Sequence, residues 1–124
     1  MERVFFVIGA LAGALAVAAG AFGAHALGDR LPPDRLATFE TGARYLMVHA
    51  LAMLALGLAL GRWPAAATWL QASGWLFLAG MLLFSGSLFL LSLTGIRWLG
   101  AITPLGGVAF IAGWVCLAVA VLRQ

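Results

Sequence analysis

The chain has 124 residues, of which 65% are hydrophobic and only 9% are charged, and its formal net charge is +3. A soluble domain carries about 25% charged residues, so this chain has too few charges to cover the surface of a water-soluble globule. Its basic residues are scattered singly along the sequence, which excludes the basic patch that a nucleic-acid backbone requires. We therefore expect the lipid bilayer, and no nucleic acid, as its main partner.

Four long apolar stretches predict four transmembrane helices within a single membrane domain, residues 1–124. A helix needs about 20 mostly apolar residues to cross the hydrocarbon core of a bilayer. The predicted spans cover residues 4–24, 44–61, 68–93 and 99–122. Because the connecting segments are short, neighbouring helices should be antiparallel. The expected fold is therefore an all-α membrane protein, a four-helix antiparallel bundle.

Small residues recur along the first span in alternating steps of four and three, which keeps them on one face of the helix. They are Gly9, Gly13, Ala16, Gly20 and Gly23. Small side chains let helices approach closely in lipid, where water supplies no hydrophobic drive between them. We therefore predict that this face packs against another helix.

Residues 29–43 are predicted to form an interfacial segment, in which an amphipathic helix that begins near Asp34 leads into the second span with little break. Gly28 can stop the first helix, and the prolines at 32 and 33 can begin the next one. Glu40 and Arg44 are four residues apart, in the order that favours an ion pair. The two side chains are expected either to pair at the interface or to gate the mouth of the bundle.

The second span carries a polar stripe formed by Thr38, Thr41, Tyr45 and His49. An ionisable group inside a membrane suggests a function by default, so His49 is a candidate for relaying protons or binding a ligand. The simpler interpretation is a neutral His49 that hydrogen-bonds a serine of the third span and fixes the register of the bundle. Both interpretations remain open from the sequence.

His25 lies at the end of the first span, near the interface, where we expect it to make hydrogen bonds. Two histidines on neighbouring helices could in principle ligate a haem or a metal. No third nitrogen, sulfur or carboxylate ligand is placed beside His25 and His49, so we predict neither a metal nor a cofactor.

The third and fourth spans repeat the seven-residue rhythm of small or weakly polar residues. The two faces comprise Gly74, Leu78, Met81, Ser85, Leu88 and Ser92 in the third span, and Gly106, Ala109, Gly113, Cys116 and Ala120 in the fourth. Ser85 and Ser87 could bend the third span by bonding back to carbonyls one turn earlier, or they could serve close packing. Pro104 marks either a kink or the N-terminus of the fourth helix, and Gly107 leaves the backbone free to loosen there.

The sequence contains none of the motifs on which common catalytic sites are built. It has no Gly-rich phosphate loop, no paired-cysteine motif and no set of serine, histidine and aspartate. We therefore name no catalytic residue and expect the protein not to be an enzyme.

Several strings together resemble a known family. They are residues 20–27 (GAFGAHAL), 41–45 (TGARY) running on to His49, 84–88 (FSGSL), 102–107 (ITPLGG) and 113–114 (GW). In order and spacing they are similar to the YgdD-like small inner-membrane proteins, the domain of unknown function 423 family, which includes transmembrane protein 256. The resemblance covers nearly the whole chain.

The resemblance implies a four-helix membrane protein whose biochemical role is not established. The family strings fall on His25, Tyr45, His49, Ser85, Ser87, Thr103, Pro104 and Gly107. One departure is Phe89, where similar chains are expected to have tyrosine, so any role of that hydroxyl would be missing here. The resemblance implies no catalytic residue.

Two functional hypotheses follow from the sequence. The first is a non-enzymatic protein that acts by association, as an accessory subunit of a larger membrane complex or as a homo-oligomer. The second is a small transporter or channel in which Thr41, Tyr45 and His49 face a polar pathway. We expect a multi-pass protein of the bacterial inner membrane. Three arginines on the side of the termini against four on the other side leave its orientation nearly undecided.

Overall fold

The computed structural model describes residues 1–123, so that Gln124, the last residue of the predicted membrane domain, lies outside the described residues. The helices are α1 (Glu2–His25), α2 (Pro33–Arg62), α3 (Ala67–Gly80), α4 (Gly86–Thr94) and α5 (Thr103–Arg123). A π-helical turn, Met81–Ser85, joins α3 to α4 without a break. With the short turn before α3 they form one rod, Pro64–Thr94, which we call the third span. The prediction of an all-α membrane protein with four spanning helices is confirmed.

Prolines and one glycine set the helix boundaries. Pro32 caps α2 and Pro33 is its first residue, a position where a missing N–H costs no hydrogen bond. Gly95 ends α4 in the left-handed conformation, with φ of 73°, and its N–H bonds to Leu91 O. Pro104 is the second residue of α5, so it marks the N-terminus of that helix and not a kink. A 3₁₀ turn, Arg97–Ala101, precedes α5 where the sequence predicted the fourth span to begin.

The helices are arranged as two closely packed pairs. α1 lies along α2, and α5 lies along α3 and the π turn, while α2 also packs on all parts of the third span. The largest side chains buried between the pairs include Phe5, Met53, Leu56, Leu70 and Phe77. These large apolar groups fill the middle of the bundle, and smaller residues form the seams within each pair.

Glycines allow close contacts within each pair and, at Gly74, between the pairs, and several of them are the predicted ones. A Cβ added at Gly9 would come within 2.8 Å of Ala50 O, and one at Gly74 within 2.5 Å of the Phe5 ring. A Cβ at Gly113 would come within 2.6 Å of Phe77. At these positions the neighbouring helix occupies the space of a side chain, which is the close approach that small residues allow in lipid.

Other predicted packing glycines differ in how close their neighbours lie. Gly23 abuts the ring of Phe39, and Gly106 lies against the backbone of Phe84. Gly13 and Gly107 have only ordinary contacts, at 3.9 Å. The contact predicted for Gly20 is absent, because Gly20 is exposed and an added Cβ would meet no described atom within 4 Å.

Candidate functional site: the His49 cluster

The predicted polar stripe of α2 ends in a buried histidine that is enclosed by aromatic rings. His49 is only 3% exposed. Its ring stacks on Phe110 of α5, with centroids 3.6 Å apart and an interplanar angle of 10°. The edge of Phe77 from α3 closes a second side, at 5.3 Å. We call His49, Phe77, Phe110 and Trp114 the His49 cluster.

Both ring nitrogens of His49 have hydrogen-bond partners. Nδ1 lies 2.8 Å from Tyr45 O, one turn earlier in α2. The indole Nε1 of Trp114 in α5 donates to His49 Nε2 across 3.1 Å. A carbonyl only accepts and an indole N–H only donates, so these bonds require a neutral ring with its proton on Nδ1.

The partner predicted for His49 is therefore wrong, although the kind of contact is right. The sequence suggested a serine of the third span, whereas the structure gives Trp114 of α5. Two serines of the third span have other acceptors: Ser92 Oγ donates to Phe89 O at 2.9 Å, and Ser87 Oγ to Phe84 O at 3.0 Å. Large rings between α2 and α5 keep those two backbones apart, so only a long donor such as indole bridges the gap.

The other residues of the polar stripe bond within α2 or lie on the outer surface. Thr41 Oγ1 donates to Ala37 O at 2.9 Å, and Thr38 Oγ1 to Asp34 O at 3.0 Å, so both hydroxyls are satisfied within α2. Tyr45 is 42% exposed on the outer surface. Its ring packs on Phe84 with centroids 4.8 Å apart. The stripe thus runs from the helix surface into an aromatic core.

The predicted ion pair between Glu40 and Arg44 is not formed. Both side chains are exposed on α2, and residues 1–123 contain no carboxylate and basic group that meet the distance of an ion pair. Solvated side chains of this kind gain little from pairing, because water screens them. Arg35 does make a defined hydrogen bond: its Nε donates to Ser92 O at 2.8 Å and ties the start of α2 to the end of α4.

His25 does not approach His49. It is exposed at the end of α1, level with the first turns of α2, because Gly23 packs against Phe39 while Gly9 packs against Ala50. At 1.5 Å per residue, this places the two histidines about 18 Å apart along the helices. The described residues contain no group of three or more potential metal ligands.

A second polar contact joins the third span to the start of α5. Ser87 Oγ and Thr103 Oγ1 lie 2.6 Å apart, and both residues were predicted candidates. Ser85 lies two residues before Ser87. It is buried, and its Oγ has no hydrogen-bond partner. Ser87 and Thr103 therefore fix the relative position of two helices, whereas Ser85 remains unexplained by the fold alone.

The arrangement holds α2 and α5 in register through a buried hydrogen bond. His49 has no free nitrogen, and the ring of Phe110 is stacked on one of its faces. Sequence reasoning missed Trp114 as the partner, although a signal was present. A tryptophan in the middle of a span, away from the interface where this residue is enriched, usually needs an acceptor for its N–H.

Phe89, the position where similar chains are expected to have tyrosine, packs in an apolar layer. Its ring centroid lies 4.9 Å from that of Phe39. Its edge occupies the space of a side chain at Gly42, where an added Cβ would come within 3.0 Å. The glycines at 42, 57 and 80 make close helix contacts that the sequence analysis did not predict, because they fall outside the seven-residue rhythm.

Comparison with known proteins places these features in a wider group. The family model for a "Protein of unknown function (DUF423)" matches residues 19–107. A UPF0382 membrane protein of Staphylococcus epidermidis is 46% identical over 121 residues, which cover 98% of this chain and 97% of the relative. The UPF0382 membrane protein YwdK of Bacillus subtilis is 45% identical over 121 residues, covering 98% of each chain. No solved structure matches the chain significantly.

Proposed function

The chain belongs to the DUF423 family of membrane proteins, and we propose that it is a non-enzymatic protein of the bacterial plasma membrane that acts by helix–helix association. It would serve as a homo-oligomer or as an accessory subunit of a larger membrane complex. The observation that carries this proposal is an unused face of small residues on α1. The relatives' names, which describe membrane proteins and no reaction, are consistent with it.

The unused face consists of exposed alanines. Ala10, Ala14, Ala21 and Ala24 are spaced by four, seven and three residues, which places them on one side of α1. Gly9 and Gly23 of the same helix already pack against α2, so the alanines are a second, outward stripe. Such stripes allow another transmembrane helix to approach closely and gain van der Waals contact.

Charge and polarity also support association over transport. The cluster around His49 is closed by rings, and the threonine hydroxyls of the stripe bond to their own helix. A transporter usually places polar groups from several helices around a site near the midplane. Here the polar groups hold helices together, so the pathway along Thr41, Tyr45 and His49 is the weaker alternative.

Extraction of the protein in native nanodiscs, followed by mass measurement, tests the proposal. We expect a stoichiometric complex that Ala14→Leu disrupts. Ala118→Leu on α5 is the matched control, since Ala118 is also exposed but lies on another helix. If the protein is a monomer with no partner, or if both variants behave alike, the proposal is wrong. A pH-dependent flux in proteoliposomes that His49→Ala abolishes would support the pathway instead.

A further inference from the structure

Ser85 differs from the other buried hydroxyl groups of the described chain. Ser73 Oγ donates to Gly113 O at 2.8 Å, and Ser87 and Ser92 donate to carbonyls within their own helix. Ser85 is 1% exposed and its Oγ has no partner. A buried polar group without a hydrogen bond is costly in an apolar medium.

Ser85 is the last residue of the π turn. A helical serine normally bonds back to the carbonyl three or four residues earlier. The carbonyl four residues before Ser85 belongs to Met81, and it accepts the N–H of Gly86 in the wider π-helical turn. π-helical turns occur frequently at functional sites. The π turn and the unpaired hydroxyl coincide at Ser85, which makes this position a candidate binding site.

Ser85 lines a groove of about 330 Å³ that lies between α1, α2 and the third span. Leu11 and Leu15 of α1 form one wall, Leu46 of α2 contributes to the base, and Phe89 closes one end. Gly86 leaves open space on the opposite wall, because an added Cβ there would meet nothing within 4 Å. The lining has no charged side chain, and its only hydroxyl is that of Ser85.

The groove continues along α1 towards the interface. A second groove of about 330 Å³ shares Leu15 and Phe89 with the first and extends to Phe22 and Leu93. Together they form an elongated apolar channel that is open to lipid on its side. Its shape suits a hydrocarbon chain lying along α1.

The depth of the Ser85 hydroxyl in the bilayer limits which lipids could bond to it. Ser85 precedes the end of α4 at Thr94 by about 14 Å, at 1.5 Å per helical residue. The hydrocarbon core is about 30 Å thick, so the hydroxyl lies near its middle, beyond the reach of a charged headgroup held at the interface. A ligand that bonds Ser85 must carry its polar group into the hydrocarbon, which requires that group to be small and neutral.

We propose that this groove binds a neutral single-chain lipid whose polar group, one hydroxyl or carbonyl, hydrogen-bonds Ser85. Rotation about χ1, among the staggered positions open to a serine, turns Oγ from its covered position into the groove. The chain of the ligand lies against the apolar walls, and Gly86 leaves the space for its polar end. This site is separate from the alanine face of α1 and does not depend on the association proposed above.

Photolabelling in phosphatidylethanolamine–phosphatidylglycerol vesicles tests the site. The probe is a long-chain fatty alcohol with a diazirine near its hydroxyl, and the matched comparison is the same chain without the hydroxyl. We expect the alcohol to label the peptide around Met81–Phe89 more strongly than the hydrocarbon does. Ser85→Ala should reduce this labelling about threefold, the effect of one modest hydrogen bond in a membrane.

Filling the groove gives an independent result. Gly86→Leu should abolish labelling by the alcohol, whereas Gly20→Leu, the same change in open space outside the groove, should leave it intact. Ser85→Ala removes an unsatisfied group and should fold at least as well as the parent. Equal labelling by alcohol and hydrocarbon, or labelling indifferent to both Ser85→Ala and Gly86→Leu, overturns the proposal.

Discussion

α5 makes two seams of opposite construction. On the side that faces the third span, Gly106 and Gly113 bring backbones together, and at Gly106 the space of a Cβ is filled by the backbone of Phe84. On the side that faces α2, Phe110 and Trp114 fill a wide gap and reach His49. One helix is therefore held closely by small residues and at a distance by large ones.

The difference teaches what each seam can tolerate. A glycine seam depends on the absence of a side chain, so adding one damages the seam. The damage is greatest where the neighbour is backbone, because backbone cannot move aside as a side chain can. An aromatic seam depends on atoms that are present, so removing a ring or a hydrogen bond damages it. The first sets how near two helices lie, and the second sets their register.

The largest effect is expected from Gly106→Leu in the glycine seam. Because the added Cβ falls on backbone atoms of Phe84, α5 and the π turn must separate, at a cost of about 3 kcal/mol or more in the free energy of unfolding. Thermal unfolding in detergent, followed by circular dichroism, measures the change. Gly20→Leu is the control, since it adds the same atoms in open space. Equal stability of the two variants would contradict the tight seam.

The sequence predicted the two seams unequally well. Four charge-free stretches were enough for four spans, because the bilayer imposes length and polarity on each helix separately. The glycine seam was partly visible, since Gly106 and Gly113 are seven residues apart along α5. The contact of Gly80 with Phe110 was not visible, because Gly80 lies outside the face of the third span that the sequence predicted.

The candidate site was predictable only in part, for a similar reason. His49 stood out because an ionisable residue in a span is rare. Its partner depends on the distance and rotation between α2 and α5, which local patterns do not contain. Ser85 and Ser87 were both predicted as candidates, but only the three-dimensional structure distinguishes the paired hydroxyl from the unpaired one.

The second largest effect is expected from His49→Ala in the aromatic seam. The change leaves a cavity beside Phe110 and removes the acceptor of the Trp114 N–H, so we expect a loss of about 2 kcal/mol. The same unfolding measurement applies. Val48→Ala is the control, because Val48 is the adjacent residue but is exposed on the lipid face. A loss at His49 no larger than that at Val48 would mean that the cluster does not stabilise the bundle.

The smallest effect isolates the hydrogen bond that distinguishes the aromatic seam. Trp114→Phe keeps a ring but removes the N–H, and His49→Leu keeps bulk but removes the acceptor. Measured singly and together, the two changes form a double-mutant cycle. We expect a coupling free energy of about 0.6 kcal/mol, the average for hydrogen bonds between membrane helices. A coupling near zero would show that ring packing alone sets the register, and the two seams would then differ in the size of their residues but not in polarity.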